Sequence, residues 1–160
     1  MTNLTIQIEN QSVLAELERL QRVAVNMQPA FNSIGQEIKG FIEQGFRDLR
    51  SPEGVNWAVL SPVTIAKRTN NSSEPLNDTG VLKNSFSAQG NEFSVFNVTN
   101  NSVEVGTNRV QATMMNFGGT KAQFPHLWGN IPARPFMPTS QIPNLWETAT
   151  IAAIQTHFEV

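Results

Sequence analysis

Cysteine is absent from this chain, which excludes disulfides, thiolate metal sites and a cysteine nucleophile, and leaves the redox state of its compartment open. Charge is scarce too. Only 15% of residues are Asp, Glu, Lys or Arg, the formal net charge is −2, and acids and bases are interleaved. No basic stripe stands ready to neutralise phosphates, so stable nucleic-acid binding is not expected. There is no apolar run long enough to span a bilayer, and residues 1–10 lack both the basic start and the apolar centre of a signal peptide. The expectation is a protein that folds in the cytoplasm where it is made, with no membrane partner.

What is present fits one compact unit. A chain of 160 residues is long enough to bury a real core and short enough to do so once, so residues 1–160 are expected to form a single domain. Hydrophobic residues make up 39%, and Asn, Thr, Ser and Gln, more than charge, carry the solubility, a composition suited to a surface that partners cover.

Leu4, Ile6 and Ile8 alternate with polar residues as in a short strand that could pair at a sheet edge or with a neighbouring subunit. From Ser12 the period changes, and Leu14, Leu17, Leu20, Val23 and Met27 form one helical stripe. Pro29 suits the start of a second helix, whose stripe is Phe31, Ile34, Ile38, Phe41, Ile42 and Leu49. Gly35, Gly40 and Gly45 weaken that helix by roughly 1 kcal/mol each relative to Ala and are either tolerated or mark close approaches. Residues 50–75 read as a long connection with a helical turn after Ser61-Pro62. Three strands are expected at Ser85 to Ala88, Phe93 to Val98 and Ser102 to Val105, with Asn100-Asn101 in the left-handed conformation of a tight hairpin. Asn108 is placed to cap a short helix through Met115, and Gly118-Gly119 to end it. Ser140 is placed to cap a last helix carrying Ile142, Leu145, Trp146, Ala149, Ala153 and Phe158 inward. The fold class is α+β: N-terminal helices on a small antiparallel sheet, with a C-terminal helix.

A search for chemistry yields no catalytic, cofactor or metal residues. His126 and His157 lie far apart without carboxylates at ligand spacing, and a helix dipole accounts for a cation at His157. Ser85 and Ser87 lack the Gly-X-Ser-X-Gly elbow of a hydrolase. "NFGGTKA" follows a helix, not the strand a phosphate loop requires. Asp48, Glu53 and Asp78 form no acid–base pair, and Asp78 before Thr79-Gly80 reads as turn chemistry.

Four stretches taken in order, "WAVLSPVTIAKR", "PLNDTGVLKNSF", "VEVGTNRVQATMMNFGG" and "IPARPFM", resemble the phage virion morphogenesis family, the tail completion or neck proteins of Mu-like and P2-like phages. The resemblance covers about residues 40 to 140. Its pattern falls on Trp57, Leu60, Thr64 and Lys67, on Leu76, Thr79, Gly80, Leu82 and Ser85, and on Gly106, Thr107, Asn108, Phe117 and Gly118. It ends on Pro132, Ala133, Arg134, Pro135 and Phe136. Gln111, Met115 and Asn116 depart from it, standing where relatives show an aromatic before Ala and a His-Gln pair before Phe-Gly.

The resemblance implies a non-enzymatic virion protein at the head–tail junction, a ring of identical subunits expected as a hexamer. Tail terminator, tail tube and connector proteins are its implied partners, and DNA passes through the ring. An assembly factor absent from the finished particle is the alternative, and a small envelope hydrolase a third class. Within this frame Asp78-Thr79-Gly80 is a sharp turn delivering Leu82 to the core as the chain enters the sheet. Phe136 packs inward, and Trp57 anchors core or loop. Arg134 either grips a carboxylate of its own or an adjacent subunit or pins a local loop carbonyl.

Overall fold

The computed structural model describes residues 10–69, 72–87 and 91–159, apart from the Ser87 side chain. The expected strand at Leu4, Ile6 and Ile8 lies outside the described residues, as do Asn70, Asn71 and Ala88.

Helix α1 (Gln11–Val25) leads into helix α2 (Gln28–Asp48), the longest element described. Pro29 sits in the first turn of α2, where its missing N–H costs nothing. Of the expected stripe Ile34 and Ile42 are buried and Ile38, Phe41 and Leu49 partly so, and Ala30 and Phe46, which the expected stripe did not include, are buried with them. Leu49 closes the helix in the left-handed conformation (φ 55°), its N–H on the Gly45 carbonyl, and its side chain packs on the core. Of the three α2 glycines, Gly35 is the close approach: a Cβ there would meet the Phe96 ring at 2.7 Å and Val103 at 2.8 Å.

The connection is held at both ends. Arg50 and Asn56 form an isolated antiparallel bridge, and the Trp57 N–H returns to the Leu49 carbonyl at 2.8 Å. Helix α3 (Pro62–Ala66) follows, with the Ser61 hydroxyl accepting from the Thr64 N–H as its cap.

The segment expected as a first strand is a helix, α4 (Val81–Ser87). Gly80, at φ 73°, makes the turn, and its carbonyl accepts the Asn84 N–H. Leu82 and Phe86 are buried four residues apart, with Ser85 beside them, so the sequence carries a helical period there. The Asp78-Thr79-Gly80 turn therefore delivers Leu82 to the core at the start of a helix, not of a sheet.

Strands β1 (Ser94–Val98) and β2 (Val103–Thr107) pair antiparallel, Phe96 opposite Val105, and among the described residues they are the whole sheet. Neither Asn100 nor Asn101 has positive φ: the connection is a four-residue loop closed by the Thr99 N–H on the Ser102 carbonyl at 2.9 Å, and a loop of that length needs no primed turn.

Helix α5 (Ala112–Phe117) starts later than Asn108, because the Asn108 N–H extends the hairpin ladder to the Phe93 carbonyl at 2.8 Å. Helix α6 (Asn144–Glu159) starts after Pro143, not at Ser140. Proline disfavours helical geometry at the residue before it, so Ile142 cannot belong to the helix. The Pro143 carbonyl accepts from Trp146 and Glu147. Ile142 and Leu145 face outward and Trp146 alone of α6 is fully buried, its ring stacked on Phe41 at 5.6 Å.

Helix α2 is the axis of the molecule, packed by α6, by α4 and by both strands. The core is aromatic: Phe46 meets Trp57 at 5.4 Å, Phe136 at 5.6 Å and Phe86 at 6.2 Å, with Ile42 and Leu82 filling between. Among the described residues no helix is long and apolar enough to cross a membrane.

Candidate functional site

The four motif stretches, separated by up to about eighty residues of chain, are drawn together around the segment Ile131 to Met137. This segment has almost no regular structure, so its backbone groups need partners from elsewhere. Ile131 bridges Gly119 through reciprocal bonds of 2.8 and 2.9 Å. The Arg134 N–H donates to the Met115 carbonyl at 2.9 Å. The side-chain oxygen of Asn116 accepts from both the Phe136 and Met137 N–H groups at 3.0 Å. Finally, the Trp57 indole Nε1–H donates to the Pro135 carbonyl at 2.7 Å.

Arg134 completes this clasp from inside. Only 6% of its surface is exposed, its Nε donates to the Ala58 carbonyl at 2.8 Å, and its Nη2 reaches the Val59 carbonyl at 3.3 Å. Of the two readings open for this side chain, the described residues show the loop carbonyls and no carboxylate. Burial, with the Arg68 guanidinium nearby, holds its pKa below the ordinary arginine value.

Gly118 makes the clasp possible. At φ 72° and ψ −176° it occupies a region open essentially only to glycine, and a Cβ would strike the Ala133 nitrogen at 2.7 Å and the Ile131 oxygen at 2.8 Å.

Above the clasp opens a cleft of about 410 Å³, whose lining includes Leu60, Thr64, Arg68, Leu76, Met115 and Arg134. A second hollow of about 280 Å³ shares Arg68, Leu76 and Met115 and adds Asp78, Thr79, Gly80 and Leu82. Arg68 is fixed there by donating through Nη1 to the carbonyls of Glu74 (2.6 Å), Ser72 (3.1 Å) and Asn77 (3.3 Å). Motif residues from three stretches thus share one face. Lys67 is exposed beside it, and Phe117 is exposed on the outer side of α5, away from the core.

Ser85 has no catalytic setting. It is 0% exposed, donates to the Leu82 carbonyl at 2.7 Å and bonds the Thr107 hydroxyl at 2.8 Å, tying α4 to β2. His157 joins α6 to the end of α1, Nε2 lying 2.9 Å from the Asn26 carbonyl, a contact that its place in a last helical turn did not suggest.

Two asparagines hold the structure in ways their sequence context barely signals. Asn116 departs from the family pattern, and only its place four residues after buried Ala112 points it to the inner face of α5. Asn100 does not serve the turn geometry expected of it. Its side chain instead accepts from the Met27 and Gln28 N–H groups (2.7 and 3.2 Å) and donates to the Val25 carbonyl (2.6 Å), fastening the hairpin tip to the α1–α2 junction.

Buried aromatics and main-chain hydrogen bonds thus hold the motif stretches together in one clasp. The chain belongs to the phage virion morphogenesis family, which matches residues 8–144. No curated protein and no solved structure matches the chain.

Proposed function

We propose that this protein completes the tail or neck of a tailed phage so that head and tail can join, and that it acts by binding, as a single-domain subunit of a ring. The observation that carries this reading is the family match over residues 8–144, within which the motif stretches converge on one clasp and cleft. Trp57, Leu82, Ser85, Gly118, Pro135, Phe136 and the buried Arg134 frame the surface, while Leu60, Thr64, Lys67 and Thr79 present it to neighbours. Those neighbours are other copies of the chain and the tail and connector proteins on either side, with DNA passing through the ring. The place of action is the head–tail junction of the virion, after assembly in the host cytoplasm.

Electron microscopy of lysates from the parent phage with this frame deleted tests the reading. Filled heads beside separate tails are expected; normal particles would overturn it.

A further inference from the structure

Two apolar surfaces have no partner among the described residues. Helix α1 is amphipathic yet contains no buried residue. Its C-terminal half leans on α6, with Leu20 and Val23 half-covered, but Val13, Leu14 and Leu17 are each at least 50% exposed, Leu17 lying four residues after Val13 and three after Leu14 on the same helical face. The second surface is a groove of about 560 Å³ between α5 and the segment leading to the clasp, whose apolar walls include Val110 (95% exposed), Met114, Phe117 (60% exposed), Phe124 and Ile131. No charged residue lines it.

We infer that the groove receives helix α1 of a second copy of the chain, head to tail. The chemistry of the two surfaces matches. The four charges of α1 lie off the apolar stripe and pair among themselves, Glu16 with Arg19 at 2.8 Å and Glu18 with Arg22 at 4.0 Å, so a net-neutral helix meets a neutral groove. Helix-in-groove docking uses such a short row of apolar anchors.

The helix cannot serve its own groove. It is fastened to α6 by the Arg19 guanidinium on the Phe158 carbonyl (2.9 Å) and by His157 on the Asn26 carbonyl, and to the hairpin tip by Asn100. The occupant is therefore another copy. Because helix and groove are different patches, every docked pair leaves one helix and one groove free, the condition for a ring that closes when the rotation per subunit allows. This rests on the reading of the chain as a ring subunit and names the contact that closes it.

The test uses the full-length protein and two variants, Leu17→Glu on the helix and Phe117→Glu in the groove, followed by sedimentation velocity. Each substitution puts a charge into a dry contact, so each alone is expected to weaken self-association at least about tenfold. Mixed in equal amounts they recover pairs and nothing larger, since one keeps an intact groove and the other an intact helix. Val13→Glu and Val110→Glu repeat the experiment at positions equally clear of the core. Wild-type oligomers that survive both substitutions would overturn the helix-in-groove contact while leaving a ring standing. A wild-type chain that stays monomeric at its highest soluble concentration would overturn the contact too, and the deletion phenotype then decides separately whether the neck reading survives.

Discussion

The indole N–H of Trp57 donates to the main-chain oxygen of Pro135 at 2.7 Å, joining the first residues after α2 to a proline-rich segment 78 positions further along the chain. The same indole packs edge-on against Phe46. Trp57→Phe keeps most of the packing and orphans the carbonyl, an expected loss of about 1–3 kcal/mol. Trp57→Ala also opens a cavity, for about 3–5 kcal/mol. Urea unfolding of the two variants separates bond from packing, and a Trp57→Phe protein as stable as wild type would mean that the hydrogen bond contributes nothing.

Asn100 is both acceptor and donor at the junction of α1 and α2. Asn100→Asp keeps an oxygen for the Met27 and Gln28 N–H groups, where the positive end of the α2 dipole favours a carboxylate, and loses the bond to the Val25 carbonyl. Asn100→Ala loses all three contacts. The aspartate variant is expected to lie within about 1 kcal/mol of wild type and the alanine variant to lose about 1–2 kcal/mol, the range for removing a helix cap. Thermal melts followed by circular dichroism rank them.

Two glycine-to-alanine changes are expected to act in opposite directions. Gly118→Ala forces a Cβ into the backbone of residues 131 and 133 at a φ that only glycine tolerates, costing at least about 1–3 kcal/mol and loosening the clasp. Gly40→Ala meets nothing within 4 Å on an exposed face of α2 and is expected to stabilise by about 1 kcal/mol. Chemical denaturation of each protein reads both signs.

Acid weakens α1. The Arg19 guanidinium holds the Glu16 carboxyl below its ordinary value of 4.5, so the pair supports the helix above that pH and its support is lost as pH falls through the lowered value. Both groups are exposed, and salt screens the pair. Hydrogen exchange should show protection in α1 fading on acidification while the amides of Leu82 to Phe86 hold, and Glu16→Gln should remove the pH dependence of α1.

Helix α2 and the hairpin were legible in sequence because each turns one face inward with its own period: Ile34, Ile38 and Ile42 at helical spacing, and Phe96 and Val105 across a ladder. Helix α4 was misread because its inner face includes a serine. Ser85 is buried by satisfying its hydroxyl on the Leu82 carbonyl and Thr107, and a polar residue counted as outward turned a helical repeat into apparent alternation. The loop-carbonyl role of Arg134 is one of the two that the sequence allows, but the roles of Asn100 and Asn116 are hidden for a different reason. Each bonds main-chain groups far along the chain, and such groups carry no side-chain identity that a sequence pattern could reveal.

The clasp is fastened almost wholly to peptide oxygens and nitrogens: those of Ala58, Val59, Met115, Pro135, Phe136 and Met137. The side chains at 58 and 59 point to solvent and take no part in holding the frame. Mutation can therefore rewrite that face without loosening the frame that presents it. Under the proposed ring reading, partner choice and architectural integrity would then be inherited by separate atoms of the same residues, a division of labour that would suit particles whose parts must change together while their joints keep their shape.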